Sequence, residues 1–302
     1  MTAFEPRRLR DRDRWERVVE GWTDNTHDDA FTHTVRLTDP DLAVEVSAVA
    51  LPSPSYEIRE ASARSLAGTI DASVLDGVAK LAGVRMVGGL TRRLAEAAGG
   101  GAGATLVRDA VIEIARLARQ VAKLPRPRAE RAAAGDPLEC WELDTTGWVD
   151  LPDSCFTYSE AGRALFDTRT VTTPMQADLY SPRPGQRRVF ERRKVVRLER
   201  VDGRLRLVHS MDDNMHGFEV TYEIDPASSR IVHASSVTSR LPYQGICSEP
   251  QRKLSSMLGE TVDASIARRI QTSLGGSSGC AQLYDLTSDL LKLIAPDPGS
   301  RS

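Results

Sequence analysis

Two stretches decide how this chain reads: GVRMVGGLTRRLAEAAGGGAGATLVRD at Gly83–Asp109 and GETVDASIARRIQTSLGGSSGCAQLYD at Gly259–Asp285. They align without a gap. Arg92-Arg93 falls on Arg268-Arg269, Gly99-Gly100 on Gly275-Gly276, Gly103 on Gly279, and Asp109 on Asp285. Met86, Leu90 and Leu94 fall on Val262, Ile266 and Ile270, a four-residue spacing that puts each trio on one helical face. An ordered series of this kind is the mark of an internal repeat. The chain is therefore expected to contain a duplicated unit.

Upstream, the alignment is extended through two similar turns, DNTH at Asp24–His27 and DNMH at Asp213–His216. Each leads into alternating, β-branched-rich runs, reaches an Asp-Pro turn, resumes as a strand, and arrives at a Pro followed closely by a Tyr. In the second copy Arg204–Ser210 and Phe218–Ile224 are expected to flank the turn, with Ser229–Ser239 a further strand. Helices are expected at about Glu249–Leu258, Val262–Leu274 and Ala281–Ile294. The first copy supplies a long helix over Thr105–Leu124, whose Leu106, Ala110, Ile114 and Leu117 form an apolar face. Prolines in LPRPR stop it. The resulting division is a first lobe over 1–124, a linker over 125–137 whose Ala-rich centre leaves room for a helical turn, a strand-rich extension over 138–208 and a second lobe over 209–302. The fold class is α+β: two related lobes, each of antiparallel strands followed by helices, with the strand-rich segment between them.

The 302 residues suffice for two domains, and 40% hydrophobic content with a net charge of −2 describes an ordinary globular chain. Phosphate binding normally needs a basic surplus, so nucleic acid is not an expected partner. The amino terminus is charged and lacks the apolar core of a signal peptide. No apolar run approaches the ~18 residues of a membrane span. A cytoplasmic location is expected, with Cys140, Cys155, Cys247 and Cys280 as thiols. CxxC and HExxH are absent, and neither GGGAGAT at Gly99–Thr105 nor GGSSGC at Gly275–Cys280 fits a P-loop or a GxGxxG motif. No cofactor is predicted on these grounds.

The run HGFEVTYEIDPASSRIVHASSV, then LPYQGIC, then LGGSSGCAQLYDL, resembles the bacterial family catalogued as domain of unknown function 2889. The resemblance covers roughly Arg193–Ala295 and picks out His216, Pro242, Tyr243, Cys247, Gly279, Cys280 and Leu283. About Trp15–Gln120 looks like a degenerate second example. Two departures stand out. Gln282 occupies the place where the family usually has His, and Ala104 stands at the Cys280 position of the first copy. The resemblance implies a bacterial protein and no particular chemistry.

Asp and Asn explain themselves in tight turns, because their side chains bond nearby backbone groups. An imidazole does not, and only five His occur in the chain. Asp at i and His at i+3 can approach closely enough to fix the ring's tautomer, an arrangement suited to general acid–base work. His216 with Asp213, and His27 with Asp24, are accordingly the candidate catalytic pairs. Asn214, Arg240, Tyr243, Cys247 and Cys280 are the candidate substrate-binding residues. Cys280 follows GGSSG at a helix start, where the dipole would favour a thiolate. A shell of His216, Cys247 and Cys280 around zinc or iron is the metal alternative, weakened by Gln282. The expected function is proton transfer on a small organic molecule, of isomerase, hydratase or lyase type, in a pocket between the lobes. The alternative is a non-catalytic ligand-binding protein or accessory subunit. A small-molecule ligand is the expected partner, and a homodimer the assembly allowed for.

Overall fold

The computed structural model describes residues 6–295, so the outermost residues of both expected lobes, 1–5 and 296–302, lie outside it. In chain order the regular elements are β1 (Arg14–Asp24), β2 (Phe31–Thr38), β3 (Ala43–Ala50), β4 (Ile58–Ala67), α1 (Ala72–Gly77), α2 (Leu90–Ala98), α3 (Ala104–Ala118), α4 (Arg126–Ala134), α5 (Pro137–Gly147), α6 (Glu160–Ala164) and α7 (Ala177–Tyr180). They continue with β5 (Phe190–Val201), β6 (Arg204–Asp213), β7 (Gly217–Asp225), β8 (Arg230–Arg240), α8 (Ile266–Leu274) and α9 (Ala281–Lys292). A 3-10 segment at Pro250–Met257 takes the place of the helix expected over Glu249–Leu258. The class is α+β, with four strands followed by helices occurring twice. Among the described residues no helix is long and apolar enough to cross a membrane.

The chain divides into two compact units that interleave along the sequence. The first comprises 17–149 and 175–193, the second 1–16, 150–174 and 194–302.

In the first unit the strands follow the order β4-β3-β2-β1, each antiparallel to its neighbour. Alternation selects one face of this sheet: Phe31, Val35 and Leu37 of β2 and Val44, Val46, Ala48 and Ala50 of β3 are buried. α3 lies against both strands and buries Leu106, Ala110, Ile114 and Leu117. Each of these Leu and Ile side chains contributes about 1.5–3 kcal/mol when removed from water.

The second unit carries β5 from Lys194 onward, beside β6, then β7 and β8. The β5–β6 turn is Asp202-Gly203, with φ values of 48° and 75°, the left-handed pair a two-residue hairpin requires. Leu205, Leu207 and Met211 of β6 and Phe218, Val220, Tyr222 and Ile224 of β7 turn inward. α9 covers them with Leu283, Leu286, Leu290 and Leu291. Tyr222 closes the contact by a hydrogen bond between its hydroxyl and Thr287 Oγ1 at 2.8 Å.

The link from sheet to helices is built alike in the two units. Ile58 N donates to Val84 O at 2.9 Å and its carbonyl accepts from Gly83 N at 2.7 Å. Ile231 N donates to Glu260 O at 2.9 Å and its carbonyl accepts from Gly259 N at 2.8 Å. Gly83 and Gly259 both have φ of 81°, a left-handed conformation that disfavours any other residue. At these two links the aligned glycines share one local geometry.

The upstream turns do not. DNTH follows β1, the first strand of its meander, whereas DNMH follows β6, the second of its own. The hairpin corresponding to DNMH is Asp39–Leu42: Asp39 N donates to Leu42 O at 2.8 Å, as Asp213 N donates to His216 O at 2.9 Å. The two DNxH turns therefore close different hairpins.

Two segments also differ from expectation. The linker over 125–137 contains α4, because Pro127 is tolerated in a first helical turn and AERAAA propagates the helix. Its Ala129 and Ala132 are buried. The strand-rich extension over 138–208 holds α5, α6 and α7, and its strands begin only at β5. Its β-branched and aromatic residues mimic strand composition, but β-propensity reflects packing partners more than the backbone itself.

Candidate functional site

The β6–β7 turn gathers four of the expected site residues: Asp213, Asn214, His216 and Arg240. The Asp213 side chain is fully covered, and that of His216 is 10% exposed. Asp213 Oδ1 accepts the backbone N–H groups of Met215 and His216, each at 2.7 Å. The same carboxylate accepts from His216 Nδ1, at 3.0 Å to Oδ1 and 3.2 Å to Oδ2. Nδ1 must then carry a proton, which makes Nε2 the ring's acceptor nitrogen when the imidazole is neutral. Phe218 flanks the ring, centroids 6.1 Å apart. Arg240, at the end of β8, clamps the turn from outside. Its Nη2 donates to Asp212 Oδ1 at 2.5 Å, to Asp213 O at 2.6 Å and to His216 O at 3.4 Å. Arg240 thus holds the backbone that carries the imidazole. Asn214 is half-buried within the turn.

Tyr243, Cys247 and Cys280 belong to a different part of the second unit. Tyr243 is fully buried, edge-on to Tyr158 and Phe166 at 6.2 and 5.8 Å. It is a core residue, not a pocket wall. Cys247 Sγ lies 3.0 Å from Thr157 Oγ1, and burial pushes its thiol up to about 12. Cys280 caps α9 by accepting from Leu283 N at 3.5 Å, and Gln251 Nε2 approaches its sulfur at 3.6 Å. Loss of solvent around that sulfur outweighs the helix terminus and pushes this thiol up to about 12 as well. The expected thiolate is therefore corrected to a thiol. The metal alternative is corrected too, because His216 stays with Asp213 while the two cysteines pack around Gln251 and Thr157. Among the described residues no set of three or more His, Cys, Asp and Glu side chains is arranged to hold a metal ion.

DNTH lies in the first unit and makes no Asp–His pair. Asp24 Oδ1 accepts from Arg188 N at 2.7 Å, and the His27 side chain is exposed. The reason is loop length. Asp24 ends a strand, and residues 25–30 form an open connection in place of a tight turn. That connection is organised by Asn25, whose buried amide donates through Nδ2 to Arg183 O at 2.8 Å and Pro182 O at 3.2 Å. Its Oδ1 is thereby turned towards Lys123 Nζ, which donates to it and to His27 O at 2.7 Å. Lys123 Nζ also sits 4.6 Å above the Phe31 ring. Asn25, His27, Lys123 and Pro182 line a cleft of about 190 Å³. Burial moves the Lys123 ammonium below its ordinary range, against the opposing pull of Asp29 and Asp28.

Sequence reasoning passed over Lys123, reading LPRPR only as a helix stop. One signal was available: five of the chain's 40 Lys and Arg residues are lysines. It also passed over Thr157 and Gln251, which have no motif.

The family described as Protein of unknown function (DUF2889) matches residues 194–295. The His216 turn, Cys247 and Cys280 lie inside that span, and the Lys123 cleft lies outside it. No curated protein and no solved structure matches the chain.

Proposed function

We propose that the chain acts on a small organic molecule by proton transfer, in an isomerase, hydratase or lyase type of reaction, with His216 as the acid–base group. One observation carries the reading: Asp213 engages Nδ1 of a nearly covered imidazole, so Nε2 is the nitrogen through which the ring would exchange a proton. A carboxylate that orients a histidine and balances its developing charge is the usual support for this chemistry. Arg240 acts as a positioning residue, since it fixes the carbonyls of Asp213 and His216. Asn214 is the nearest of the proposed substrate contacts in sequence.

We further read the first unit as a diverged copy of the second, one that kept the sheet-to-helix link and lost the imidazole. Leu42 stands where His216 stands, and Asp39, the counterpart of Asp213, pairs with Arg17 at 2.6 Å.

Deuterium wash-in tests the chemistry. The chain is incubated in D2O with a panel of small keto, hydroxy and unsaturated acids, and loss of C–H signals is followed by proton NMR. The expected result is protein-dependent exchange in at least one compound. His216→Gln should lower that exchange by roughly 10²–10⁴-fold with the melting temperature held within a few degrees. Unchanged exchange in the variant would remove His216 from the mechanism, and a panel with no exchange at all would favour the binding or accessory reading.

A further inference from the structure

We propose that Lys123 is a nucleophilic amine that forms an imine with a small carbonyl compound held in the cleft beside DNTH.

The argument begins with the hydrogen-bond inventory of the amine. A neutral –NH₂ group has two N–H donors and one lone pair. At Lys123 Nζ two acceptors are in place, Asn25 Oδ1 and His27 O. They occupy both donors of the neutral form and leave the lone pair available. The acceptor on Asn25 is not free to swap with its amide nitrogen, because Nδ2 is committed to two carbonyls, Arg183 O and Pro182 O. The backbone is fixed as well: Asn25 N donates to Gln186 O at 2.7 Å, and Asn25 O accepts from Gly185 N at 2.9 Å. The amine is therefore held by a preorganised pair of acceptors on a buried support.

Chemical choice of residue points the same way. This chain meets its needs for a cation with arginine, which supplies all but five of its 40 basic residues. Arg is also the better tool for stapling two oxygens, since its planar fork presents five donors. What Lys offers and Arg does not is a proton it can lose near neutral pH. Partial burial moves Lys123 in that direction. Asp28, Asp29 and the face of Phe31 favour the charged form and restrain the shift.

The cleft has space for a ligand. Its volume of about 190 Å³ is below the roughly 300–1,000 Å³ of sites for drug-sized molecules, which suits an aldehyde or oxo acid of a few heavy atoms. His27, Asp28, Ser181 and Pro184 complete the wall around Lys123. In the reaction the Nζ lone pair forms a C–N bond to the carbonyl carbon and the π pair moves to oxygen. One proton passes from nitrogen to that oxygen, giving a carbinolamine. An acid protonates its hydroxyl, the nitrogen lone pair forms the C=N bond as the C–O bond breaks, and water leaves, with the protonated imine as product. The exposed His27 ring is the acid at hand.

Reductive trapping decides the matter. The full chain is incubated with glyoxylate or propanal and sodium cyanoborohydride, and adducts are mapped by peptide mass spectrometry. Lys123 should label at least tenfold faster than the exposed Lys80 and Lys292, and Lys123→Arg should lack the adduct. Asn25→Asp, which places an anion beside Nζ and holds it charged, should slow labelling of Lys123 several-fold. Labelling that simply follows exposure, with Lys123 no faster than Lys80, would overturn the proposal even if either variant failed to fold. The readout involves no proton transfer at His216, so the two readings succeed or fail separately.

Discussion

His33 is an inward-facing imidazole on β2, 1% exposed, with Nδ1 2.8 Å from Thr23 Oγ1. Burial pushes it down to about 3, whereas an unfolded histidine titrates near 6.5. Between those values the unfolded chain binds a proton that the folded chain refuses. Stability is therefore complete above about pH 6.5 and declines as the pH falls towards 3, by up to about 1.4 kcal/mol per unit. Urea denaturation at pH 7 and pH 5 should differ by about 2 kcal/mol from this residue, and His33→Gln should flatten that difference. Single residues were also the hardest scale to read in advance. The string DNTH states nothing about the length of the connection it opens, so Asp24 and His27 looked like a pair and are not one. DNMH reads correctly because Asp213, His216 and their shared turn are all local. Cys247 meets Thr157, and Cys280 meets Gln251, through long-range contacts that have no sequence pattern.

At the scale of elements, periodicity was informative wherever one face packs on one neighbour. β6, β7 and β8 fall within three residues of their expected bounds at either end, since alternation and turn residues mark them. α8 buries Ile266, Ile270 and Leu274, the face predicted from four-residue spacing, although its start lies later than Val262. The region over 138–189 was misread because aromatic and β-branched residues there serve contacts between irregular segments. Tyr180, for example, donates to Asp144 at 2.6 Å and stands edge-on to Trp148. The sheet-to-helix link provides a quantitative test. An added Cβ would meet nothing within 4 Å at Gly83 or at Gly259, so substitution there costs only backbone strain. Gly83→Ala and Gly259→Ala should each destabilise by about 1–2 kcal/mol. Thermal melts giving a large loss for one and none for the other would break the equivalence of the two links.

For the whole molecule, the span matched by the family, 194–295, is not a complete compact unit. The second unit also needs 150–174. Phe156 N donates to Gly279 O at 2.8 Å, Thr157 meets Cys247, and Tyr158 and Phe166 cover Tyr243. A fragment of 194–302 alone would expose Tyr243 and Cys247, and replacing buried aromatic contacts with water costs on the order of 3–5 kcal/mol. The fragment is expected to lack a cooperative melt by circular dichroism. A fragment beginning at 150 should recover part of the near-ultraviolet signal of packed aromatics, and an unaided cooperative melt from 194–302 would refute the point.

The interleaving also orders events on the ribosome. Every residue of the first unit has been synthesised by Arg193, when most of the second is still unmade. Glu16 can pair at once with Arg14, at 2.7 Å, but its second partner Arg197, at 3.2 Å, comes much later in the chain. Segment 150–174 emerges well before the Cys247 and Tyr243 it will cover. The nascent chain must therefore carry two segments of the later unit unburied, in the keeping of solvent or of a chaperone, until the last helices are translated.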